Sequence, residues 1–226
     1  MERSFVPNSY LRQSPLAHLH LDVRAAADFE RTSNTVLIGE LRFQDMLNLR
    51  GSAKDPAFKL AVEKTVGCSL PKKLNTTSMR GSDITILALA TDEWLIVTKS
   101  GKGAEPEKRL RNKLQDQHAS VTSVGEARTV IRLAGNNARN LLAKGCPLDL
   151  HPSAFGPGVC AQTLLARTGM LLHCLPSNSS KADLFDIYIA RSFAEYAWSW
   201  IEDAGQEYGT AVVIPQKNVH KTASMK

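Results

Sequence analysis

Two pairs of polar side chains stand at spacings that could serve chemistry. Arg128 and Arg132 project from one face of a predicted strand, where two guanidinium groups could hold a carboxylate or could pair with neighbouring acids. Asp149 and His151 could act as an acid–base pair, although a proline-rich turn explains their spacing as well. Arg167 is a further candidate for binding an anion. No serine-hydrolase, zinc-protease, Walker or Rossmann motif accompanies these residues, so the sequence predicts no catalytic residue on this chain.

The cysteines do not form a metal-binding pattern. The sequence lacks a CxxC pair, and its four cysteines lie far apart. We therefore expect reduced thiols, mostly buried as small hydrophobic side chains, and no metal site. These residues are Cys68, Cys146, Cys160 and Cys174.

Composition narrows the class of protein. The chain has 226 residues, of which 43% are hydrophobic and 22% charged, as in an ordinary globular protein. No apolar run is long enough to span a membrane and no signal peptide is visible, so we expect a cytoplasmic protein without membrane contact. Half of the net charge of +6 lies in residues 210–226, and the other basic residues are scattered. This distribution favours a solvated surface over a nucleic-acid-binding face.

Several elements have clear signals. Asp55 and Pro56 predict the start of a helix that Gly67 ends. Ser192 and Glu195 predict a capping box for the last helix. The buried stripe expected on that helix comprises Phe193, Ala197, Trp200, Ile201, Ala204 and Tyr208.

Two side-chain orientations follow from the same patterns. Trp198 lies off the predicted stripe, which indicates either a partner surface or cover by the N-terminal arm. In the strand predicted before the last helix, the alternation of polar and apolar residues places Asp186 and Tyr188 on the same face, which we expect to be solvated.

The order of elements predicts the fold. The two halves read β-α-β-β-α-β and β-α-β-β-β-α, which indicates an α+β protein with two similar lobes of mixed, mainly antiparallel sheet and packed helices. The expected divisions are an N-terminal arm at 1–15, a first lobe at 16–125, a second lobe at 126–209 and a basic polar tail at 210–226.

One region resembles a known family. The chain is similar to the gamma subunit of heterotetrameric sarcosine oxidase, a family that includes the gamma-like subunit of N-methylglutamate dehydrogenase and is distantly related to folate-binding aminomethyltransferase domains. The resemblance covers roughly residues 12–209 and is strongest after residue 128. Its motifs are RQSPL (12–16), LNLRG (47–51), RTVIRL (128–133), LLAKGCPLDLHP (141–152), CAQTLLA (160–166) and RSFAEY (191–196).

The resemblance implies an aminomethyltransferase-like fold and an accessory role. In such a complex, sarcosine is oxidatively demethylated to glycine, and the one-carbon unit passes to tetrahydrofolate or leaves as formaldehyde. FAD, FMN and NAD are expected on the alpha and beta subunits and zinc on the delta subunit, with no cofactor on this chain. The expected contacts with these subunits include the N-terminal arm and, from the loop and last helix, Pro147, Asp149, His151, Pro152, Phe155, Arg191 and Trp198.

Two alternatives remain open at this stage. The chain could be the gamma-like subunit of N-methylglutamate dehydrogenase. It could also be a free-standing folate-binding one-carbon transferase, with Asp149 as an acid and Arg167 or Arg191 holding the glutamate tail of the folate.

Overall fold

The computed structural model describes residues 11–28, 36–177 and 182–215. Most of the predicted arm (1–10) and the end of the tail (216–226) therefore lie outside the described residues. The helices are α1 (Leu21–Asp28), α2 (Pro56–Val66), α3 (Ala104–Leu114), α4 (Ala138–Ala143) and α5 (Ala194–Gly205). The strands are β1 (Val36–Leu41), β2 (Asp45–Arg50), β3 (Thr77–Arg80), β4 (Ile84–Ala90), β5 (Glu93–Thr98), β6 (Ser120–Ser123), β7 (Arg128–Gly135), β8 (Cys160–Leu165), β9 (Thr168–Leu175), β10 (Asp183–Ala190) and β11 (Thr210–Val212).

These strands form two sheets. The six-stranded sheet has the order β11-β1-β7-β10-β9-β8, and the five-stranded sheet has the order β3-β4-β5-β2-β6. Neighbouring strands are antiparallel except β1 and β11, which are parallel. The predicted α+β class with mixed, mainly antiparallel sheet is confirmed.

The two sheets pack face to face, with helices on both outer sides. One apolar cluster joins α4 and α5 to the six-stranded sheet, and another joins α2 and α3 to the five-stranded sheet. The cluster between the sheets comprises Met46, Leu87, Leu95, Val97, Val130, Cys160, Leu171 and Tyr188. Because strand side chains alternate between faces, both faces of the central strands are buried.

Strand pairing does not follow the lobe boundaries expected from the sequence. β1 lies within 16–125, yet it pairs with β7 in the six-stranded sheet. β11 lies within the expected tail, but it pairs with β1. The five-stranded sheet, in contrast, comes from one continuous stretch, residues 45–123. As domain boundaries, the lobes stay a prediction.

The ends of α2 are as predicted. The Asp55 carboxylate accepts a hydrogen bond from the backbone N of Ala57 at 2.8 Å, and Pro56 occupies the first turn. Gly67 ends the helix with a φ of 75°, a left-handed conformation that glycine adopts without strain.

The start and the buried face of α5 differ from the prediction. A 3-10 turn over Arg191–Phe193 precedes the helix, and no side-chain capping bond forms, so the Ser192–Glu195 capping box is wrong. The buried residues are Ala194, Ala197, Trp198, Ile201 and Gly205. Small side chains let this face approach its neighbours closely: a Cβ atom on Gly205 would lie 2.2 Å from Thr210 Oγ1.

Candidate functional site

The loop of residues 146–158 is fastened by one arginine. Arg139, on α4, donates hydrogen bonds through Nη1 to the carbonyl oxygens of Leu150 (2.6 Å) and Phe155 (2.9 Å). Its Nη2 lies 2.7 Å from Asp183 Oδ1, and its guanidinium stacks 5.1 Å from the ring centroid of Phe185. We call residues 146–158 the anchored loop, because these contacts fix it against β10.

The anchored loop exposes polar and proline side chains around an internal hydrogen-bond network. Pro147, Asp149, His151 and Pro152 are exposed. Asp149 Oδ1 accepts a hydrogen bond from the backbone N of His151 at 2.9 Å, and His151 Nδ1 lies 2.7 Å from Ser153 Oγ. The Asp149 carboxylate therefore bonds the loop backbone, and the structure shows no hydrogen bond between the side chains of the suggested acid–base pair.

Two of the expected contact residues are not at the surface. Phe155 is 4% exposed, and its ring centroid lies 6.5 Å from that of Phe185. Its side chain therefore holds the loop against the core. Trp198 is fully buried in the core cluster that also contains Leu16. The expected exposure of both residues is therefore wrong: Phe155 packs in the core beneath the loop, and α5 turns Trp198, not Trp200, toward the sheet. Arg191, a further expected contact, is exposed.

The end of the expected N-terminal arm is part of the fold. Ser14 is buried, and its hydroxyl donates a 2.5 Å hydrogen bond to Glu40. Arg12 Nη2 lies 2.6 Å from Glu126 Oε1, and the carbonyl oxygen of Gln13 accepts a hydrogen bond from Arg191 Nη2. Residues 12–14 are therefore held by the chain itself.

The three candidate anion-binding arginines lie in different surroundings. Arg132 forms a bidentate pair with Asp186, in which Nε donates to Oδ1 at 2.7 Å and Nη2 donates to Oδ2 at 2.8 Å. Its guanidinium group is therefore already paired with a carboxylate of the same chain. Arg128 lies half-buried on the same face of β7. Arg167 is exposed in the turn between β8 and β9, and its backbone N donates to the hydroxyl of Tyr196 at 3.3 Å.

A cavity of about 360 Å³ opens between the sheets beside the Arg132–Asp186 pair. Tyr188 and Lys99 also line it. Asp186 is 5% exposed and Tyr188 is 3% exposed, so their expected solvent-facing position is wrong. The reason is that the five-stranded sheet covers this face of β10. Alternation along one strand shows which residues share a face, but it does not show that a second sheet covers that face.

A buried polar row crosses three strands at this cavity. Asp186 stands opposite Arg132 on β7 and opposite His173 on β9. His173 has no exposed surface; its Nε2 lies 3.4 Å from Thr77 Oγ1, while its Nδ1 has no hydrogen-bond partner. No motif predicts the buried position of His173, because a single histidine in an apolar strand forms no pattern.

The environment shifts the pKa values along this row. Burial lowers the pKa of His173 to about 4, so its imidazole is neutral at pH 7. Burial alone would lower the pKa of Arg132, but the charge and hydrogen bonds of Asp186 outweigh it and raise the pKa. Burial raises the pKa of the Tyr188 hydroxyl and raises that of the Cys160 thiol to about 12. The row thus holds one internally neutralised ion pair beside neutral groups.

The structure also bears on metals, thiols and membranes. All four cysteines are free, and three of them are buried, as predicted. Within residues 11–28, 36–177 and 182–215, no three His, Cys, Asp or Glu side chains cluster closely enough to hold a metal ion. No helix in that same part of the chain has the length and apolar character that a membrane crossing requires.

Comparison with known proteins gives consistent matches. The model of the sarcosine oxidase gamma subunit family matches residues 50–207. The sarcosine oxidase gamma subunit of Corynebacterium sp. (strain P-1) is 30% identical over 93% of this chain and 98% of its own length. The gamma subunit from an Arthrobacter species is 28% identical over the same shares.

Solved structures are similar as well. A chain of the heterotetrameric sarcosine oxidase from Corynebacterium sp. U-96, solved with pyrrole 2-carboxylate, is 28% identical, with a TM-score of 0.76 over 89% of this chain and 98% of that chain. The glycine cleavage system aminomethyltransferase T of Bartonella henselae is 12% identical, with a TM-score of 0.65 over 90% of this chain and 59% of that one. The second likeness concerns the fold alone.

Proposed function

This chain belongs to the sarcosine oxidase gamma subunit family, and from that premise we propose that it is the accessory gamma subunit of a heterotetrameric sarcosine oxidase. The observation that carries the proposal is the match to named gamma subunits along nearly their whole length, together with the shared fold of a chain from a heterotetrameric enzyme. The alternatives of an N-methylglutamate dehydrogenase subunit and a free-standing transferase are not favoured.

In this proposal, the chemistry belongs to the partner subunits. Alpha and beta subunits hold FAD, FMN and NAD, and a delta subunit holds zinc. A flavin would supply the two-electron oxidation of the N-methyl amine to an imine; water would then hydrolyse the imine to glycine and formaldehyde, or the one-carbon unit would pass to tetrahydrofolate. This chain contributes position and environment, which is the usual role of protein around a cofactor. Its free cysteines support a reducing, cytoplasmic location.

The anchored loop is the proposed first contact with a partner. Its exposed residues, Pro147, Asp149, His151 and Pro152, project from a backbone that Arg139 and internal hydrogen bonds already hold. A loop that is ordered before binding loses little conformational entropy when it docks. Asp149 and His151 then serve recognition and not acid–base chemistry.

The test is recovery of the complex from cells that coexpress all four subunits. The tagged wild-type chain should bring down three further subunits and a yellow flavin spectrum. Recovery of this chain alone, without colour, would contradict the proposed function.

A loop variant tests the contact. Pro147→Arg with Pro152→Arg adds bulk and charge at exposed positions whose backbone an arginine can adopt, and it should cut recovery of the partners at least tenfold. Ala53→Arg, at an exposed turn before α2, is the matched control and should leave recovery unchanged. Deletion of the whole loop is unsuitable, because Leu150 and Phe155 belong to the core.

A further inference from the structure

Three aromatic side chains form a row on the outer flank of α5. Phe193 is 50% exposed, Tyr196 is 39% exposed, and Trp200 is half-buried. Their spacing of three and four residues keeps them on one side of the helix, beside its buried stripe. We call these three residues the aromatic ridge. Aromatic side chains are enriched in the centres of protein interfaces, whereas monomers rarely leave several together at the surface.

The ridge is fixed by its neighbours. The Tyr196 hydroxyl accepts a hydrogen bond from the backbone N of Arg167, in the β8–β9 turn. Trp200 lies against Gly145, where an added Cβ atom would stand 2.5 Å from the indole. Gly145 directly precedes the anchored loop, so the chain leads from Trp200 at one end of the ridge into that loop. Rings held in this way lose little side-chain entropy on binding.

Two cations flank the ridge, and neither has a carboxylate partner in the part of the chain that the structure describes. Arg167 is exposed beside Tyr196, and Arg191 lies two residues before Phe193. Arg191 donates to the neutral carbonyl of Gln13, and among the described residues no carboxylate oxygen lies within 4.0 Å of either guanidinium group. The acid nearest in sequence, Glu195, faces His18. Among the described residues, no acid therefore supplies the charge complement of this surface.

We propose that the aromatic ridge binds an acidic segment of another subunit of the oxidase, in which an apolar side chain packs on Phe193 and Tyr196 and carboxylates pair with Arg167 and Arg191. This inference rests on the proposed function. It adds a second surface, besides the anchored loop, through which this chain contacts a partner subunit. Arginine pairs bidentately with carboxylates, and desolvated aromatic and arginine anchors account for most of the binding energy in many interfaces.

The experiment uses the coexpressed complex with substitutions in this chain. Phe193→Ser removes an exposed ring at the N-cap of α5, where serine is a favoured residue, so the helix should be retained. Arg167→Glu reverses an exposed charge. Each should weaken retention of the partners at least tenfold, and Arg167→Glu should also reduce the dependence of association on salt. Arg167→Lys should show a smaller loss. The controls are Leu60→Ser and Lys108→Glu, exposed positions on α2 and α3.

The outcomes separate this inference from the proposed function. If the wild-type chain recovers no partners, the proposed function fails and the ridge proposal fails with it. If the wild type recovers them and both ridge variants do so equally well at every salt concentration, the ridge proposal alone is overturned. If the isolated wild-type chain is a dimer that Phe193→Ser dissociates while the complex stays intact, the ridge binds a second copy, and the proposal is again overturned. Thermal unfolding of each isolated variant verifies that it is folded.

Discussion

His173 lies on β9 with no exposed surface, and its Nδ1 atom has no hydrogen-bond partner. Asp186 and Arg132 stand beside it with opposite charges, so their effects on its pKa oppose each other and burial decides the direction. Folding therefore favours the neutral imidazole. This preference links protonation of one side chain to the stability of the chain.

Lowering the pH should therefore destabilise the protein through His173. The folded-state pKa of about 4 lies below the ordinary value of 6.5, so the stabilisation is present above pH 6.5 and is lost as the pH falls toward 4. The loss for this group is roughly 3 kcal/mol, at about 1.4 kcal/mol per pKa unit. Urea unfolding of the wild type and His173→Gln at pH 7.5 and 4.5 should show that the gap in unfolding free energy narrows at the lower pH.

Exposed histidine supplies the control for that measurement. His118→Gln, at a surface position, should show the same gap to the wild type at both pH values. A gap for His173→Gln that does not change with pH would mean that the imidazole is not excluded from protonation.

At the scale of elements, Arg139 decides whether the anchored loop is ordered. Its side chain reaches two loop carbonyls and the Asp183 carboxylate at once. A lysine keeps the charge but lacks the planar fork of donors that makes these contacts together. The loop therefore depends on guanidinium geometry in addition to charge.

Arg139→Lys should loosen the loop and lower stability by about 1–3 kcal/mol. Hydrogen exchange of residues 146–158 should become faster, while exchange in α2 stays unchanged. Arg109→Lys, at an exposed ion pair with Glu105, is the control and should change stability little. Unaltered exchange in the loop of the Arg139 variant would show that other contacts order it.

The elements also show what the sequence can predict. Asp55, Pro56 and Gly67 carry local backbone preferences, so both ends of α2 were predictable. The phase of α5 was not, because Phe193, Trp198 and Trp200 are all large and apolar and two overlapping stripes fit the same period. Contact with the sheet selects the stripe with small residues, Ala194 and Gly205, on either side of Trp198.

The candidate site shows the same division between local and long-range information. Proline and polar residues predicted an exposed loop, and this was correct for Pro147 and His151. The role of Arg139 in ordering the loop was not predicted. Arg139 donates to backbone carbonyl oxygens, and because every residue has such an oxygen, no sequence pattern indicates these bonds. The burial of Asp186 was missed because a sheet formed by residues 45–123 covers it.

At the scale of the whole molecule, stability should depend on assembly. A partner that binds only the folded chain adds about 2.7 kcal/mol when its concentration is one hundred times the Kd, which raises the Tm of a chain of this size by roughly 5–10 °C. Thermal unfolding of this chain, followed by a fluorescent label in the complex and alone, should show this increase. An unrelated protein at the same concentration should give none. Equal Tm values alone and in the complex would contradict stabilisation by assembly.

The contrast between the two sheets also sets an order of events during synthesis. All strands of the five-stranded sheet are present once residue 123 has left the ribosome. The six-stranded sheet has to wait, because β1 emerges early but its neighbours, β7 and β11, are translated much later. The nascent chain therefore carries β1 with both edges open while nearly ninety further residues are added before β7 arrives. We expect the five-stranded sheet, complete by then, to be the surface on which the six-stranded sheet assembles once β7 is available.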